Sequence, residues 1–283
     1  MTPQQQVKNA VAMTMKFSMQ RALQAAFASF LLAILTITQT AEAQQADTAG
    51  RLAIQTIPFP AGVARAGGNV SYTAPDFAEL RRTVTYEGQA RNYYIYAPQS
   101  SASAPRQAIV LLHGAQRSGR SMIDMWLRTA NRHNIILIAP DSFGPSWSPA
   151  EDHPNFLITA LRDAHTQAPI QPEQVYLFGH SAGGILATLY ANRLGTPWRA
   201  IATHAGVLDA EQVVPAQVAP PMRHYIGLND HLFSGRAAQS TAQALSEAGH
   251  DVDLVMITSH THWYYDIGPH LSEEIWKYWQ GLD

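Results

Sequence analysis

The sequence predicts an α/β fold: a doubly wound, mostly parallel β-sheet with an antiparallel hairpin on its N-terminal side. Two observations carry this prediction. From Ala108 onward, short continuous apolar runs alternate with segments of helical periodicity, as strands buried between two helical layers require. Upstream of them, two runs of alternating residues flank Glu87 and Gly88, which is the pattern of a β-hairpin.

The elements follow one another in a regular order. The hairpin strands are expected at 83–86 and 89–96, with a polar loop at 99–106 behind them. Parallel strands are expected at 108–112, 135–139, 175–178, 200–203, 223–226 and 254–257. Helices are expected at 121–131, 155–166, 182–193, 236–248 and 271–280. The segment 141–152 contains two prolines and reads as a loop.

Length and composition favour one folded domain. The chain has 283 residues, of which 46% are hydrophobic, enough for one large core or two small ones. Residues 81–283 are predicted to form the α/β domain, because no repeat or second domain is visible in them. Residues 44–80 lack strong periodicity and are expected to be an extended lead-in that lies over the domain surface.

Residues 1–43 read as a secretory signal peptide. Lys16 and Arg21 precede the uncharged segment 22–37, and Ala41-Glu-Ala43 follows in small-x-small form, the arrangement that signal peptidase cleaves. Cleavage is expected before Gln44, with Met13, Met15 or Met19 as alternative starts because the basic region is long. The alternative is an uncleaved anchor, since about 17 apolar residues just span a bilayer. Cleavage predicts a secreted or periplasmic protein without stable membrane association.

Charge and cysteine content exclude several functional classes. Nineteen basic and 21 acidic residues give a net charge of −2, and the absence of a basic stripe argues against a nucleic-acid partner. No cysteine is present, which excludes disulfides, a cysteine nucleophile and thiolate metal sites. His260 and His262 have His-x-His spacing, but no third ligand stands at a characteristic distance. Neither a metal nor another cofactor is therefore expected.

A serine nucleophile is predicted at position 181. The apolar run 175–178 ends in Gly179, and Gly179-His-Ser-Ala-Gly183 then leads into a helical segment. A Gly-x-Ser-x-Gly sequence between a strand and a helix is the nucleophile elbow. Side chains at Gly179 or Gly183 would collide across so tight a turn. The turn also leaves the N–H of Ala182 directed at whatever Ser181 attacks.

The base and the acid that a serine requires should follow strands directly. In a doubly wound sheet, ligands bind beyond the carboxyl ends of the strands. The histidines in such positions are His113, His204, His260 and His262. The aspartates in such positions are Asp141, Asp209 and Asp230.

Four motifs together give the chain a resemblance to the α/β-hydrolases. They are LLHG at 111–114, GHSAG at 179–183, Gly-x-x-Asp at 227–230 and HWYY at 262–265. More narrowly, the chain is similar to secreted esterases of the poly(3-hydroxybutyrate) depolymerase and feruloyl esterase group, and to esterase D. The resemblance extends from about Thr83 to the C-terminus. Members of the first group often have Trp-Pro after the histidine and carry disulfides, and this chain has neither.

The resemblance implies a role for each candidate residue. The order serine, aspartate, histidine disfavours Asp141 and implies that Asp230 is the acid, with Asp209 as the alternative for an acid placed one strand earlier. The x-Tyr-Tyr that follows the histidine in esterase D implies that His262, rather than His260, is the base. The loop after the first long strand supplies the second oxyanion donor in α/β-hydrolases, which implies that the N–H of Ala115 is the partner of Ala182.

The activity expected from these residues is hydrolysis of a carboxylic ester, either small or polymeric, through a serine acyl-enzyme. We expect His113, Trp147, His180 and Trp263 to contact the substrate, although aromatic residues at strand ends are as often part of the core. One alternative is a peptidase of the same fold, but no acidic cluster for a free amine is visible. The other is a ligand-binding module that has lost its chemistry, which the intact set of catalytic residue types disfavours.

Overall fold

The computed structural model describes residues 49–63, 71–99 and 104–282. The strands in these ranges are β1 (Leu52–Ile57), β2 (Arg81–Tyr86), β3 (Gln89–Tyr96), β4 (Arg106–Leu112), β5 (Ile136–Pro140), β6 (Ile170–His180), β7 (Ile201–His204), β8 (Met222–Gly227) and β9 (Val252–Ile257). The helices are α1 (Gly119–His133), α2 (Pro154–Gln167), α3 (Ala182–Leu194), α4 (Gly235–Glu247) and α5 (Gly268–Gln280).

All the strands of the described residues belong to one sheet, in the order β1-β9-β8-β7-β6-β4-β5-β3-β2. Only β3 pairs antiparallel with its neighbours β2 and β5, and the other pairs are parallel. The prediction of a mostly parallel, doubly wound sheet is therefore confirmed. Because β4 and β6–β9 run in the same direction, the loops after these strands meet at one edge of the sheet.

Two apolar layers hold the helices against the sheet. One layer joins α2, α3 and α4 to one face, through residues such as Phe156, Leu186 and Leu245. The other layer joins α1 and α5 to the opposite face, and Trp126 of α1 stacks on Trp279 of α5 within it. Strands covered on both faces bury almost every side chain, which is why their sequences are continuous apolar runs rather than alternating ones.

The N-terminal hairpin is confirmed with the predicted turn. Strands β2 and β3 pair from Arg81 opposite Tyr94 to Tyr86 opposite Gln89. Glu87 and Gly88 both have positive φ, 48° and 77°, as the two central residues of a type I′ turn require. The hairpin joins the sheet because β3 pairs with β5.

The lead-in prediction is wrong for residues 52–57, which do not merely lie over the surface. They form β1, which pairs in parallel with β9 over six residue pairs from Leu52 opposite Val252 to Ile57 opposite Ile257. The sheet therefore begins well before residue 81. A strand that pairs with residues 200 positions away has no local partner in the sequence, and its short length gave no clear period.

The other predicted elements are confirmed with small changes at their ends, except that β6 begins at Ile170, earlier than expected. The segment 141–152 contains neither helix nor strand, as predicted. The predicted signal peptide and its cleavage site lie outside the described residues. Within the described ranges, no helix is both long and apolar enough to cross a membrane.

Candidate active site

Ser181 stands on a strained turn between β6 and α3. Its backbone has φ 52° and ψ −120°, a region that residues other than glycine seldom adopt and that concentrates at functional sites. A Cβ on Gly179 would lie 2.2 Å from the carbonyl oxygen of Gly183, and one on Gly183 would lie 2.4 Å from that of Leu112. Gly179 is therefore required by the turn itself, and Gly183 by the close approach of β4. The turn leaves the serine partly exposed at the sheet edge.

His262 connects Ser181 to Asp230. Its Nε2 lies 2.9 Å from Ser181 Oγ, and its Nδ1 lies 2.8 Å from Asp230 Oδ2. The carboxylate fixes Nδ1 as the protonated nitrogen, so Nε2 is free to accept a proton. The structure thus brings together the serine, histidine and aspartate that the sequence singled out.

Asp230 is held as a buried carboxylate. Its side chain is 0% exposed, and its Oδ1 accepts hydrogen bonds from the backbone N–H groups of Leu232 and Phe233. Burial by itself raises the pKa of Asp230, but the hydrogen bond from His262 and those from the two amides outweigh it. The pKa of this carboxyl group therefore lies below its usual value, and Asp230 stays ionised beside the imidazole.

The competing candidates lie elsewhere. His260 is buried and its Nε2 lies 2.8 Å from His204 Nε2. Neither of these two imidazoles hydrogen-bonds to the hydroxyl of Ser181, whose partner is His262. Asp141 accepts a hydrogen bond from the N–H of Gly119 at the start of α1. Asp209 caps a short 3-10 turn by accepting from the N–H of Glu211. The two aspartates have local structural partners and do not contact His262.

The backbone N–H groups of Ala115 and Ala182, both near Ser181, have no acceptor among the described residues. The amide of Ala182 is the first of α3, where helix geometry leaves N–H groups without an internal partner. Ala115 is exposed on the loop after β4. The preceding residue, Gly114, lies so close that a Cβ on it would be 3.5 Å from Ser181 Cβ. The role of the Ala115 and Ala182 N–H groups as oxyanion donors stays a prediction, and their position beside Ser181 is consistent with it.

His113 and Trp147, predicted to contact the substrate, are buried instead. His113 is 0% exposed; its Nδ1 is 2.8 Å from the carbonyl oxygen of Gly114, and its Nε2 accepts the N–H of Ser142. Trp147 is 8% exposed and donates from Nε1 to the carbonyl oxygen of His113 at 2.7 Å. These contacts hold the loop after β4 against the loop after β5. The prediction that these two side chains contact substrate is therefore not supported, because their polar atoms are already paired.

His180 and Trp263 have different surroundings. His180 is 5% exposed and stacks on Tyr264, so its ring is covered by its neighbours and little of it can reach a substrate. Trp263 is partly exposed beside His262 and makes an edge contact with Tyr265. Trp263 is the predicted pocket residue that remains open to a substrate.

Sequence reasoning missed an aromatic cluster that holds Arg117. The guanidinium carbon of Arg117 lies 5.3 Å from the ring centre of Trp263, 5.1 Å from that of Tyr265 and 5.8 Å from that of Tyr72. Arg117 also donates to the carbonyl oxygen of Tyr72. The cluster ties the loop after β4 to the loop that carries His262. Only the HWYY motif at 262–265 pointed to it, since Tyr72 lies in a segment without periodicity.

Acid should destabilise the protein because burial lowers the pKa of several histidines. The pKa of His180 falls to about 3, and those of His224 and His260 to about 4. Unfolded histidines protonate near pH 6.5. Between about pH 6.5 and 4 the unfolded state therefore binds more protons than the folded state, and the free energy of unfolding decreases as the pH is lowered. Each histidine contributes roughly 1.4 kcal/mol per pH unit in that window.

Urea unfolding at pH 7.5 and pH 5.5 measures this effect. We expect the free energy of unfolding to be lower at pH 5.5 by a few kcal/mol, on the order of one to two for each of the three groups. The variant His224→Leu should show a shallower pH dependence than the parent, because one of these groups is gone. Equal stability at the two pH values would contradict the prediction.

No group of three or more His, Cys, Asp or Glu residues in the described part of the chain is arranged to hold a metal ion.

The strand order and the serine at the β6–α3 turn define the class of the protein, which has the α/β-hydrolase fold. A sequence profile described as "Alpha/beta hydrolase family" matches residues 109–279. The chain belongs to that family, and its resemblance to α/β-hydrolases is thereby confirmed. The narrower likeness to depolymerases and feruloyl esterases stays a prediction. No curated protein matches the sequence.

Several solved structures have a similar fold at low sequence identity. The fluorophosphonate-binding serine hydrolase FphF of Staphylococcus aureus has a TM-score of 0.57 at 13% identity, over 70% of this chain and 97% of its own. Esterase 2 of Thermogutta terrifontis, phosphorylated by paraoxon, has a TM-score of 0.57 at 18% identity, over 69% of this chain and 91% of its own. Est1E of Butyrivibrio proteoclasticus has a TM-score of 0.55 at 16% identity, over 71% of this chain and 98% of its own. At these identities the similarity shows the fold alone.

Proposed function

We propose that this α/β-hydrolase is a serine esterase that cleaves a carboxylic ester through a covalent acyl-enzyme. One observation carries the proposal: His262 lies 2.9 Å from Ser181 Oγ on one side and 2.8 Å from Asp230 Oδ2 on the other. A hydroxyl, an imidazole and a buried carboxylate in that order form the arrangement that activates a serine for acyl transfer.

In the first half of the reaction, Ser181 Oγ attacks the ester carbonyl carbon while His262 Nε2 accepts the hydroxyl proton. Asp230 keeps the imidazole in the correct tautomer and stabilises the imidazolium that forms. The N–H groups of Ala115 and Ala182 donate to the oxyanion, and each such donor is worth roughly 3–4 kcal/mol in enzymes where one has been removed. When the carbon–oxygen bond breaks, His262 returns its proton to the leaving alcohol.

In the second half, water replaces the alcohol. His262 Nε2 accepts a proton from the water as its oxygen attacks the acyl carbon of the serine ester. Collapse of the second tetrahedral intermediate releases the acid and returns the proton to Ser181 Oγ. The same three side chains and two amides serve both halves.

The rim of the site supports an ester with apolar substituents. Leu228 and Leu232 flank Asp230 and are 45% and 60% exposed, and the ring of Phe233 lies 5.7 Å from that of His262. Trp263 adds a partly exposed indole. We propose a small or polyester-type ester as substrate, to be identified by comparing short-acyl, long-acyl, feruloyl and hydroxyalkanoate esters.

We also propose that the enzyme acts outside the cytoplasm after cleavage before Gln44. The charge-free segment 22–37 and the small residues Ala41 and Ala43 support this. N-terminal sequencing of the protein recovered from the periplasm or the medium tests it.

Labelling with a fluorophosphonate tests the esterase proposal directly. The reagent phosphonylates only an activated serine, so we expect one adduct per chain, on the peptide that contains Ser181. The variant Ser181→Ala should take up no label. Ser240→Ala, which alters an exposed serine of α4, is the matched control and should be labelled like the parent. Absence of label on the folded parent protein, or equal labelling of Ser181→Ala, would refute the proposal.

A further inference from the structure

Three buried histidines lie in a row below the catalytic groups and have no part in the mechanism above. The Nδ1 atoms of His180 and His204 are 3.0 Å apart, and the Nε2 atoms of His204 and His260 are 2.8 Å apart. None of the three is more than 5% exposed. We refer to His180, His204 and His260 as the histidine row.

The histidine row spans the strand ends that carry the catalytic side chains. His180 ends β6 and precedes Ser181. His204 ends β7, and its carbonyl oxygen accepts the N–H of Ser181 at 2.9 Å. His260 follows β9, two residues before His262. His180 is therefore one peptide bond from Ser181, and His260 is two residues from His262. His204 is joined to Ser181 by one backbone hydrogen bond.

The third catalytic loop is attached to the same row. The carbonyl oxygen of His260 accepts the N–H of Asn229, the neighbour of Asp230, at 2.8 Å. Gly227, at the end of β8, is pressed against this carbonyl so closely that a Cβ would lie 2.3 Å from its oxygen. A displacement of His260 would therefore move the loop of Asp230 as well as that of His262.

The histidine row satisfies its two hydrogen bonds only with a definite arrangement of protons. A neutral imidazole has one N–H and one lone pair. With all three rings neutral, the N–H groups must be oriented in the same direction along the row, so that each contact joins a donor to an acceptor. Burial lowers the pKa of all three histidines, which keeps the rings uncharged. The ring of His180 lies 5.3 Å from that of His262, where a second positive charge would oppose imidazolium formation.

We propose that the histidine row is a positioning network, which holds the loops of Ser181, His262 and Asp230 at reacting distance by hydrogen bonds between uncharged imidazoles. This inference rests on the proposed esterase function. Its members are positioning residues, because they act through Ser181 and His262 rather than on the substrate. A buried and fully paired polar network of this kind specifies one geometry where an apolar contact would permit several.

Replacing His204 tests the proposal, because that residue makes both contacts. The variant His204→Phe keeps an aromatic ring but removes the two hydrogen bonds. We expect kcat for p-nitrophenyl butyrate to fall about 10- to 100-fold, the loss that misplacement by about 1 Å produces. The KM should change by less than about twofold, a small change in binding free energy, since His204 is fully buried and the exposed residues around Ser181 are unaltered.

His224→Phe is the matched control. His224 is also buried, lies on the adjacent strand β8 and makes one side-chain hydrogen bond, to Thr203 Oγ1 at 2.8 Å. Both variants should lose thermal stability, but only His204→Phe should lose kcat. Wild-type kcat in a folded His204→Phe, or the same loss of kcat in both variants, would overturn the proposal.

Couplings across the hydrogen bonds test the histidine row without any enzymatic assay. In the parent protein labelled with ¹⁵N-histidine, through-hydrogen-bond ¹⁵N–¹⁵N couplings should link His180 Nδ1 to His204 Nδ1 and His204 Nε2 to His260 Nε2 at pH 7. Absence of both couplings would overturn the proposal even if His204→Phe fails to fold. A parent protein that shows the couplings but hydrolyses no ester would instead contradict the proposed function alone.

Discussion

Replacing Ser181 with alanine is expected to lower kcat for an activated ester such as p-nitrophenyl butyrate by roughly 10⁴- to 10⁶-fold. The substitution removes the only atom that attacks the ester and leaves the oxyanion donors and His262 in place. A residual rate above that of uncatalysed hydrolysis is therefore expected. The steady-state rate under saturating substrate measures this.

The fold should survive that change. Alanine is close to serine in size, and the Oγ of Ser181 makes its hydrogen bond to the half-buried His262, so little packing is lost. The positive φ of residue 181 is as costly for alanine as for serine, and the strain does not change. Thermal melting within a few degrees of the parent serves as the control. A folded Ser181→Ala that retains more than a few per cent of kcat would mean that another group is the nucleophile.

The second large effect is expected from Asp230→Asn, which should lower kcat about 10⁴-fold with KM little altered. An amide has nearly the shape of the carboxylate, and its oxygen can still accept the N–H groups of Leu232 and Phe233. Toward His262 Nδ1, however, it offers no negative charge to stabilise the imidazolium. Where its NH₂ faces that nitrogen, it selects the tautomer in which Nε2 already carries the proton.

Asp209→Asn is the matched control for this second prediction. Asp209 follows β7 in the sequence as Asp230 follows β8, but it is exposed and caps a short 3-10 turn. We expect this variant to keep kcat within about twofold of the parent, since an asparagine caps a turn nearly as well. A large loss in Asp209→Asn together with a normal rate in Asp230→Asn would reverse the assignment of the acid.

Local sequence was sufficient for the elbow and for the hairpin turn. Gly179 is needed because the carbonyl oxygen of Gly183, four residues further on, occupies the space of a side chain, whereas Gly183 is needed because the backbone of Leu112 at the end of β4 approaches it. Glu87 and Gly88 are recognisable because a two-residue hairpin turn requires positive φ at both positions. At Gly179 and in the hairpin turn the interacting groups are close along the chain, so these constraints are written in nearly consecutive residues.

The choice among candidates that follow strands was harder to make from sequence. His260 and His262 are two residues apart, yet one contacts His204 and the other Ser181. Residues two apart in an extended segment share a face, but Ser259 has a φ of 58°, which ends the extended conformation just before His260. The preference for His262 came from the x-Tyr-Tyr motif rather than from geometry.

The burial of His113 and Trp147, which were predicted to contact the substrate, escaped the sequence for a related reason. Position after a strand places a residue at the correct edge of the sheet, but it does not say whether the next loop covers it. The loop 141–152 folds over His113, with Trp147 donating to its carbonyl oxygen, and Asp152 accepts the N–H groups of Phe143 and Ser148. The fold of a loop without periodicity depends on such contacts, and they are not visible in its composition.

The sequence by itself determined the order of strands and helices, the family motifs and the position of the nucleophile, because each is encoded in residues that are near one another along the chain. Only the tertiary structure decided that residues 52–57 complete the sheet, that His262 lies between Ser181 and Asp230, and that three other histidines hydrogen-bond in a row beneath them. These contacts join residues tens to hundreds of positions apart. Such distances depend on how the strands are aligned in the sheet, and no local pattern specifies that alignment.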